Sequence, residues 1–468
     1  MFVDRRSELA WLEARRRAPD AQLLVVYGKR RGGKPALRRE FIRGGRAVYV
    51  LADRRPRREQ LREVAARLGA HFGDAFVAEK GFDSWLEVFA YLRERLAGAG
   101  TCKGGRFVLV LDEFPYLVEN DAATASLFQK GWDETLAQLP LCLVLCGSSV
   151  AVMESETLSA RSPLFGRRTG DLAVRPFDFV AVREYVPAGW SFERTATLYA
   201  VLGGMPGYLR QFDLARSLEW NVRERLLAPG AFLFREVEFL LKEELREPRS
   251  YLAVLRALVQ GRRRFGEIVN DTGLEKNVLH KYLHVLERLQ LVEREVPVTE
   301  RAPERSKRSL YRLADPFVAL WFACVHAFHS DLELGETAPA LRRFREVLPH
   351  LAGAAYERIA AEVLRRPGAA PVRLERVGRW WDAAGEVDVV GVNEEANAIL
   401  FAEAKWSGRP LGTNVLGALR ESGSRVTWGR PGRREVFALF GRGGFTPELR
   451  RVAKREHVLL FEGDRRVV

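Results

Sequence analysis

The chain has 468 residues, more than one hydrophobic core organises, so about three domains are expected at roughly 150 residues each. Apolar residues make up 47% and charged residues 29%, which excludes a largely disordered chain. Lysine and arginine number 75 against 61 acidic residues, a formal net charge of +14 that favours polyanionic partners such as DNA.

The four cysteines, Cys102, Cys142, Cys146 and Cys324, are too few and scattered for a disulfide framework, and reduced, buried thiols are expected. No apolar run follows the charges of the opening segment, so no secretory signal and a cytoplasmic location are expected. The longest apolar stretch, 316–325, is half of the ~20 residues a bilayer span needs, so no membrane contact is expected.

In the first third, apolar runs at 23–27, 47–51, 107–111 and 141–146 alternate with amphipathic segments. Continuous apolar strands separated by helices predict a parallel sheet covered on both faces. The run Gly28, Lys29, Arg30, Arg31, Gly32, Gly33, Lys34 follows the first strand and precedes a helix. That spacing is G-x-x-x-x-G-K in the context that gives it meaning: backbone amides and the helix start cradle phosphates, and Lys34 reaches the β- and γ-phosphates of ATP. Pro35 stands where this motif carries a Ser or Thr whose hydroxyl meets Mg²⁺, so binding is expected and hydrolysis is compromised.

Asp112 and Glu113 end the strand at 107–111, placing one acid to orient the Mg²⁺ water shell and another to polarise a hydrolytic water. Gly147, Ser148 and Ser149 end the next strand and offer a sensor hydroxyl, or only a turn. Among Arg161, Arg167 and Arg168, Arg168 is the candidate arginine finger, across a domain boundary or in a homo-oligomer; solvated arginines are the alternative.

A helical segment follows, interrupted by Gly203, Gly204, Met205, Pro206 and Gly207. Between 249 and 313 three helical periodicities precede a two-strand pattern, the signature of a winged helix-turn-helix. Its third helix, 275–290, would present Lys276, Asn277, His280, Lys281 and His284 to DNA. Arg262, Arg263 and Arg264 before the second helix, and Arg301, Arg305, Lys307 and Arg308 in a mobile wing tip, would neutralise phosphates. A role in intramolecular packing is the alternative. The pairs His280/His284 and His326/His329 lack further ligands, and no zinc site is expected.

After a helical connector, a helix at 354–364 precedes strands at 372–381, 386–390 and 399–405. Period two puts Glu403 and Lys405 on one face, and pairing with the strand at 386–390 brings Asp388 beside them. Two acids and a lysine suit one or two Mg²⁺ or Mn²⁺ ions and a water aimed at a phosphodiester, with Glu357 as a further ligand. A surface ion pair of Glu403 with Lys405 is the alternative.

Several segments carry a family resemblance: Phe2, Val3, Asp4 and Arg5; the loop after Tyr27; Leu111 to Tyr116; Pro163 to Thr169; and Gly203 to Pro206. Residues 1–351 resemble the archaeal-type P-loop ATPases of the STAND class near AAA+ proteins. The resemblance implies a nucleotide-binding domain, a helical lid that brings Pro206 near the nucleotide, and a winged helix. Residues 353–468 resemble the PD-(D/E)xK restriction-endonuclease fold, as in the DUF234-type domains fused behind such ATPases. Asp388, Glu403 and Lys405 match its D and ExK positions, and Glu357 the acid of its first helix.

The expected architecture is an α/β multidomain chain: a P-loop domain (1–177), helical lid (178–248), winged helix (249–314), helical connector (315–352) and nuclease-like domain (353–468). The expected function is ATP and DNA binding with metal-dependent DNA cleavage gated by nucleotide. A nucleotide-switch signalling or transcriptional regulator with an inert nuclease-like domain is the alternative.

Overall fold

The structure is a computed structural model and describes residues 4–43, 45–97, 106–245 and 247–468. Phe2, Val3 and Cys102 lie outside the described residues. The chain forms two compact units: one extends to Pro176 and takes in Met205–Gly207, and the other comprises Phe177–Gly204 and Tyr208–Val468.

In the first unit, β1 (Gln22–Tyr27), β2 (Ala47–Leu51), β3 (Phe107–Asp112), β4 (Leu141–Gly147) and β5 (Gly170–Ala173) form a parallel sheet ordered β2-β3-β4-β1-β5. Alternation divides each strand between two cores. Leu23, Val25, Leu109, Leu111 and Leu143 face one side, and Leu24, Val26, Val108, Val110 and Val144 the other. Each such side chain contributes about 1.5–3 kcal/mol on burial, which is why these runs become central strands. All five strands run the same way, so the loops after β1, β3 and β4 open at one edge, where an α/β sheet binds its ligands.

The second unit contains the expected winged helix. Helices Pro248–Val259, Phe265–Thr272 and Lys276–Arg288 precede the hairpin of β6 (Val292–Glu295) and β7 (Leu310–Leu313). Leu255, Leu258, Ile268, Leu279 and Leu286 are buried, as the periodicity requires. The expected boundary between connector and C-terminal domain falls inside one 27-residue helix, Ala338–Leu364, which continues through Pro349.

β8 (Arg376–Trp381), β9 (Glu386–Asn393), β10 (Ala398–Lys405), β11 (Arg434–Gly441), β12 (Leu459–Glu462) and β13 (Arg465–Arg466) complete the unit as a mixed sheet ordered β13-β12-β11-β10-β9-β8. β8, β9 and β10 pair antiparallel, whereas β10, β11 and β12 pair parallel. Among the described residues, no helix is long and apolar enough to cross a membrane. Cys142, Cys146 and Cys324 are free and buried.

Candidate functional site

The phosphate loop turns off the end of β1 and enters helix Lys34–Ile42, with Gly33 at φ 93° as its N-cap and Pro35 in its first turn. Gly28, at φ 150°, lies so near β5 that a Cβ there would sit 2.4 Å from the carbonyl oxygen of Val174. Lys34 is buried and its Nζ donates to the carbonyls of Gly28 at 2.6 Å and Lys29 at 3.0 Å. Arg5, also buried, donates to the carbonyls of Gly32 at 2.8 Å and Arg175 at 2.6 Å, bracing the loop from outside.

Pro206 reaches this loop, as the resemblance implied. Its Cγ lies 3.5 Å from the position a Cβ on Gly33 would take, and the N–H of Gly207 donates to the carbonyl of Arg31 at 3.0 Å. A Cβ on Gly207 would sit 2.4 Å from that of Arg31, so glycine permits the approach.

The two acids after β3 are already engaged. Asp112 Oδ2 accepts from Arg38 and from the Tyr49 hydroxyl, the latter at 3.1 Å. Glu113, at φ 54°, accepts from the Ser148 hydroxyl at 2.6 Å and the Ser148 N–H at 3.2 Å. Arg168 pairs with Asp171 at 3.2 Å and Arg167 with Asp133 at 3.0 Å. Neither Arg38 nor Tyr49 was singled out in the sequence. A basic residue one helical turn beyond the loop lysine was the available signal for Arg38.

A magnesium ion does not fit this end of the loop. Proline supplies no hydroxyl, and Asp112 is neutralised by a guanidinium in contact with it.

In the second unit, the pairing of β9 with β10 reaches Val389 opposite Ala402, and one further step sets Asp388 opposite Glu403. Asp388 accepts from the N–H of Ala404 at 3.1 Å, and Glu403 bonds Lys405. Glu357 projects from helix Ala338–Leu364, 3.9 Å from Arg379 of β8. Arg379 also meets Glu386 at 2.8 Å and Glu295 of β6 at 3.7 Å.

Burial raises the pKa of Asp388 against the lowering effects of the Ala404 N–H and Lys405, and burial together with the Asp388 charge raises that of Glu403. Burial and Asp388 push Glu357 up to about 7. Lys405 moves up despite its burial, because Glu403, Asp388 and Glu357 favour its charged form. Asp388, Glu403 and Lys405 thus lie together on the two paired strands, and Glu357 is near enough to feel the charge of Asp388.

Among the described residues, no three His, Cys, Asp or Glu side chains form a ready metal-binding group. Carboxylate oxygens are the donor type that a hard divalent ion takes. Glu295, Glu357, Glu386, Asp388 and Glu403 are met by Arg312, Arg358, Arg379 and Lys405. Glu295, Glu386 and Arg379 were missed in the sequence, since only the folded register brings them to Glu357 and Asp388. Glu357 and Asp388 open into a cavity of about 510 Å³ that Glu295 and Arg379 also line.

On the third winged-helix helix, Lys276, Asn277, His280, Lys281 and His284 are exposed, as are Arg263 and Lys307. The wing tip carries local structure. Pro303–Arg305 forms a 3-10 turn, and Arg294 donates to the carbonyls of Pro303 and Ser306, each at 3.1 Å. Arg308, expected to meet phosphate, instead donates to the carbonyl of Trp381 and pairs with Glu300.

Residues 2–212 match the model of an ATPase domain predominantly from Archaea, residues 251–296 that of the IclR helix-turn-helix domain, and residues 321–414 that of DUF234, archaeal and bacterial proteins of unknown function. The chain thus joins an archaeal-type ATPase domain to a helix-turn-helix and a DUF234 domain. An uncharacterized protein of Methanocaldococcus jannaschii is 29% identical over 411 residues, covering 87% of this chain and 88% of that protein. A second uncharacterized protein of that organism is 39% identical over 64 residues, 14% of this chain and 56% of its own length. The Walker-type ATPase of Pyrococcus abyssi is 23% identical with a TM-score of 0.49, covering 68% of this chain and 95% of that one. The matches to an ATPase domain and a helix-turn-helix domain support ATP and DNA binding.

Proposed function

We propose that this chain is a nucleotide-responsive DNA-binding protein whose C-terminal sheet cleaves phosphodiesters with the aid of a divalent ion. The observation that carries the reading is the placement of Asp388, Glu403, Lys405 and Glu357 on two neighbouring strands and one helix, where Lys405 pairs with Glu403 and the Asp388 charge acts on Glu357. Asp388, Glu403 and Glu357 would hold Mg²⁺ or Mn²⁺, which supplies Lewis acidity and a water of lowered pKa.

Lys405 stays protonated beside these acids, so it serves as a hydrogen-bond donor and fixed charge towards the scissile phosphate, not as the base. The exposed face of helix Lys276–Arg288, with Lys276, Asn277 and Lys281, would grip DNA, aided by Arg263 and Lys307. Nucleotide enters at Gly28, Arg31, Gly32, Gly33, Lys34 and Pro35. Met205–Gly207 belongs with that loop while the chain on either side belongs to the other unit, which supplies a covalent route for gating.

The test is incubation of plasmid and single-stranded DNA with Mn²⁺ or Mg²⁺, comparing wild type with Asp388→Ala and Lys405→Ala. Cleavage abolished in both variants supports the reading. Equal activity in all three, or none in any, favours the second reading, a nucleotide-switch signalling or transcriptional regulator with an inactive nuclease-like domain. Arg379 among the acids supports that alternative, because it already supplies a built-in cation.

A further inference from the structure

The phosphate loop and the acids after β3 contain a cation of the chain's own. Arg38 lies one helical turn beyond Lys34 and contacts Asp112 Oδ2, with its guanidinium stacked 4.1 Å from the centroid of the Tyr49 ring. Tyr49 hydrogen-bonds the same carboxylate oxygen at 3.1 Å, so both partners are fixed. The buried Cys146 thiol feels the charges of Asp112, Arg38, Lys34 and Glu113, which gathers these four groups around one point of the sheet edge.

In a P-loop site the divalent ion is fixed by a hydroxyl just after the lysine and by the strand-end aspartate. Here the first is Pro35 and the second already bonds a guanidinium. A triphosphate still needs positive charge beyond the loop amides and Lys34, and Arg38 is permanently charged and set beside the acid.

We propose that Arg38 takes the place of the divalent ion at the phosphate loop, so that the chain binds ATP or ADP without magnesium. The inference rests on the nucleotide-binding reading of that loop and adds to it a residue and an ion requirement. The loop then works as a nucleotide-occupancy switch, in which Glu113 is held by Ser148 away from water activation.

The test is calorimetric titration of the full chain with ATP and with ADP, in excess EDTA and in excess MgCl₂. The expected dissociation constants agree within about twofold between the two buffers. Arg38→Gln is expected to weaken binding at least tenfold in EDTA and to recover part of it in MgCl₂, whereas Arg38→Lys retains metal-free binding; near-UV circular dichroism checks that each variant folds. Wild-type binding that falls tenfold or more in EDTA overturns the proposal while sparing the nucleotide-binding reading. No heat in either buffer overturns both. Should Arg38→Gln not fold, the wild-type comparison decides alone.

Discussion

The backbone N–H of Val298 donates to the carbonyl of Arg379 at 2.9 Å, so the wing of the winged helix runs alongside the edge strand β8 of the C-terminal sheet. Arg376 extends this pairing by donating to the carbonyl of Glu300 at 3.0 Å. The arrangement caps an edge that would otherwise expose unpaired backbone groups.

Val298→Pro removes that donor and is expected to cost about 0.5–1.5 kcal/mol. The released wing should be cut faster by trypsin at Arg301, Arg305 and Lys307, read by mass spectrometry of timed digests. Wild-type cleavage rates in the variant would show that the edge pairing does not hold the wing.

On the recognition helix, Lys276→Gln with Lys281→Gln should lower DNA affinity about tenfold and flatten the slope of log K against log salt by about 0.9 for each phosphate no longer neutralised. Arg308→Ala should leave that slope in place, since its guanidinium is spent on Trp381 and Glu300. Fluorescence anisotropy across a salt series separates the two.

Arg5→Ala deletes both hydrogen bonds to the carbonyls that brace the phosphate loop. Hydrogen bonds from a charged group contribute about 1.5–3 kcal/mol each, so the variant should melt at a lower temperature and bind ATP less tightly. Lys34→Ala should fail to bind ATP with a far smaller change in melting. Differential scanning calorimetry with and without ATP compares them.

Glu357 supplies a pH signature. Its carboxyl is raised from 4.5 to about 7, so the folded protein holds this proton more tightly than the unfolded chain. The resulting stabilisation is complete below the unfolded value and disappears as pH rises through about 7. Melting temperature in EDTA should therefore decline between about pH 5 and pH 8, and Glu357→Gln should flatten the decline. An identical slope in the variant would assign the proton elsewhere.

The phosphate loop, the sheet runs of the first unit and the three helices of the winged helix were legible because each depends on periodicity or spacing within a few turns of chain. Asp388, Glu403 and Lys405 were legible for the same reason, as strand alternation fixes their shared face once two neighbouring strands are recognised. The sequence by itself thus determined the order of strands and helices and which candidate residues share a loop or a strand face. Only the tertiary structure decided what faces them. Arg38 lies 74 residues from Asp112, and Glu295 reaches Arg379 from a different sheet. Local periodicity carries no information about such pairs, because they depend on which strands become neighbours and on the angle at which a helix or hairpin crosses them.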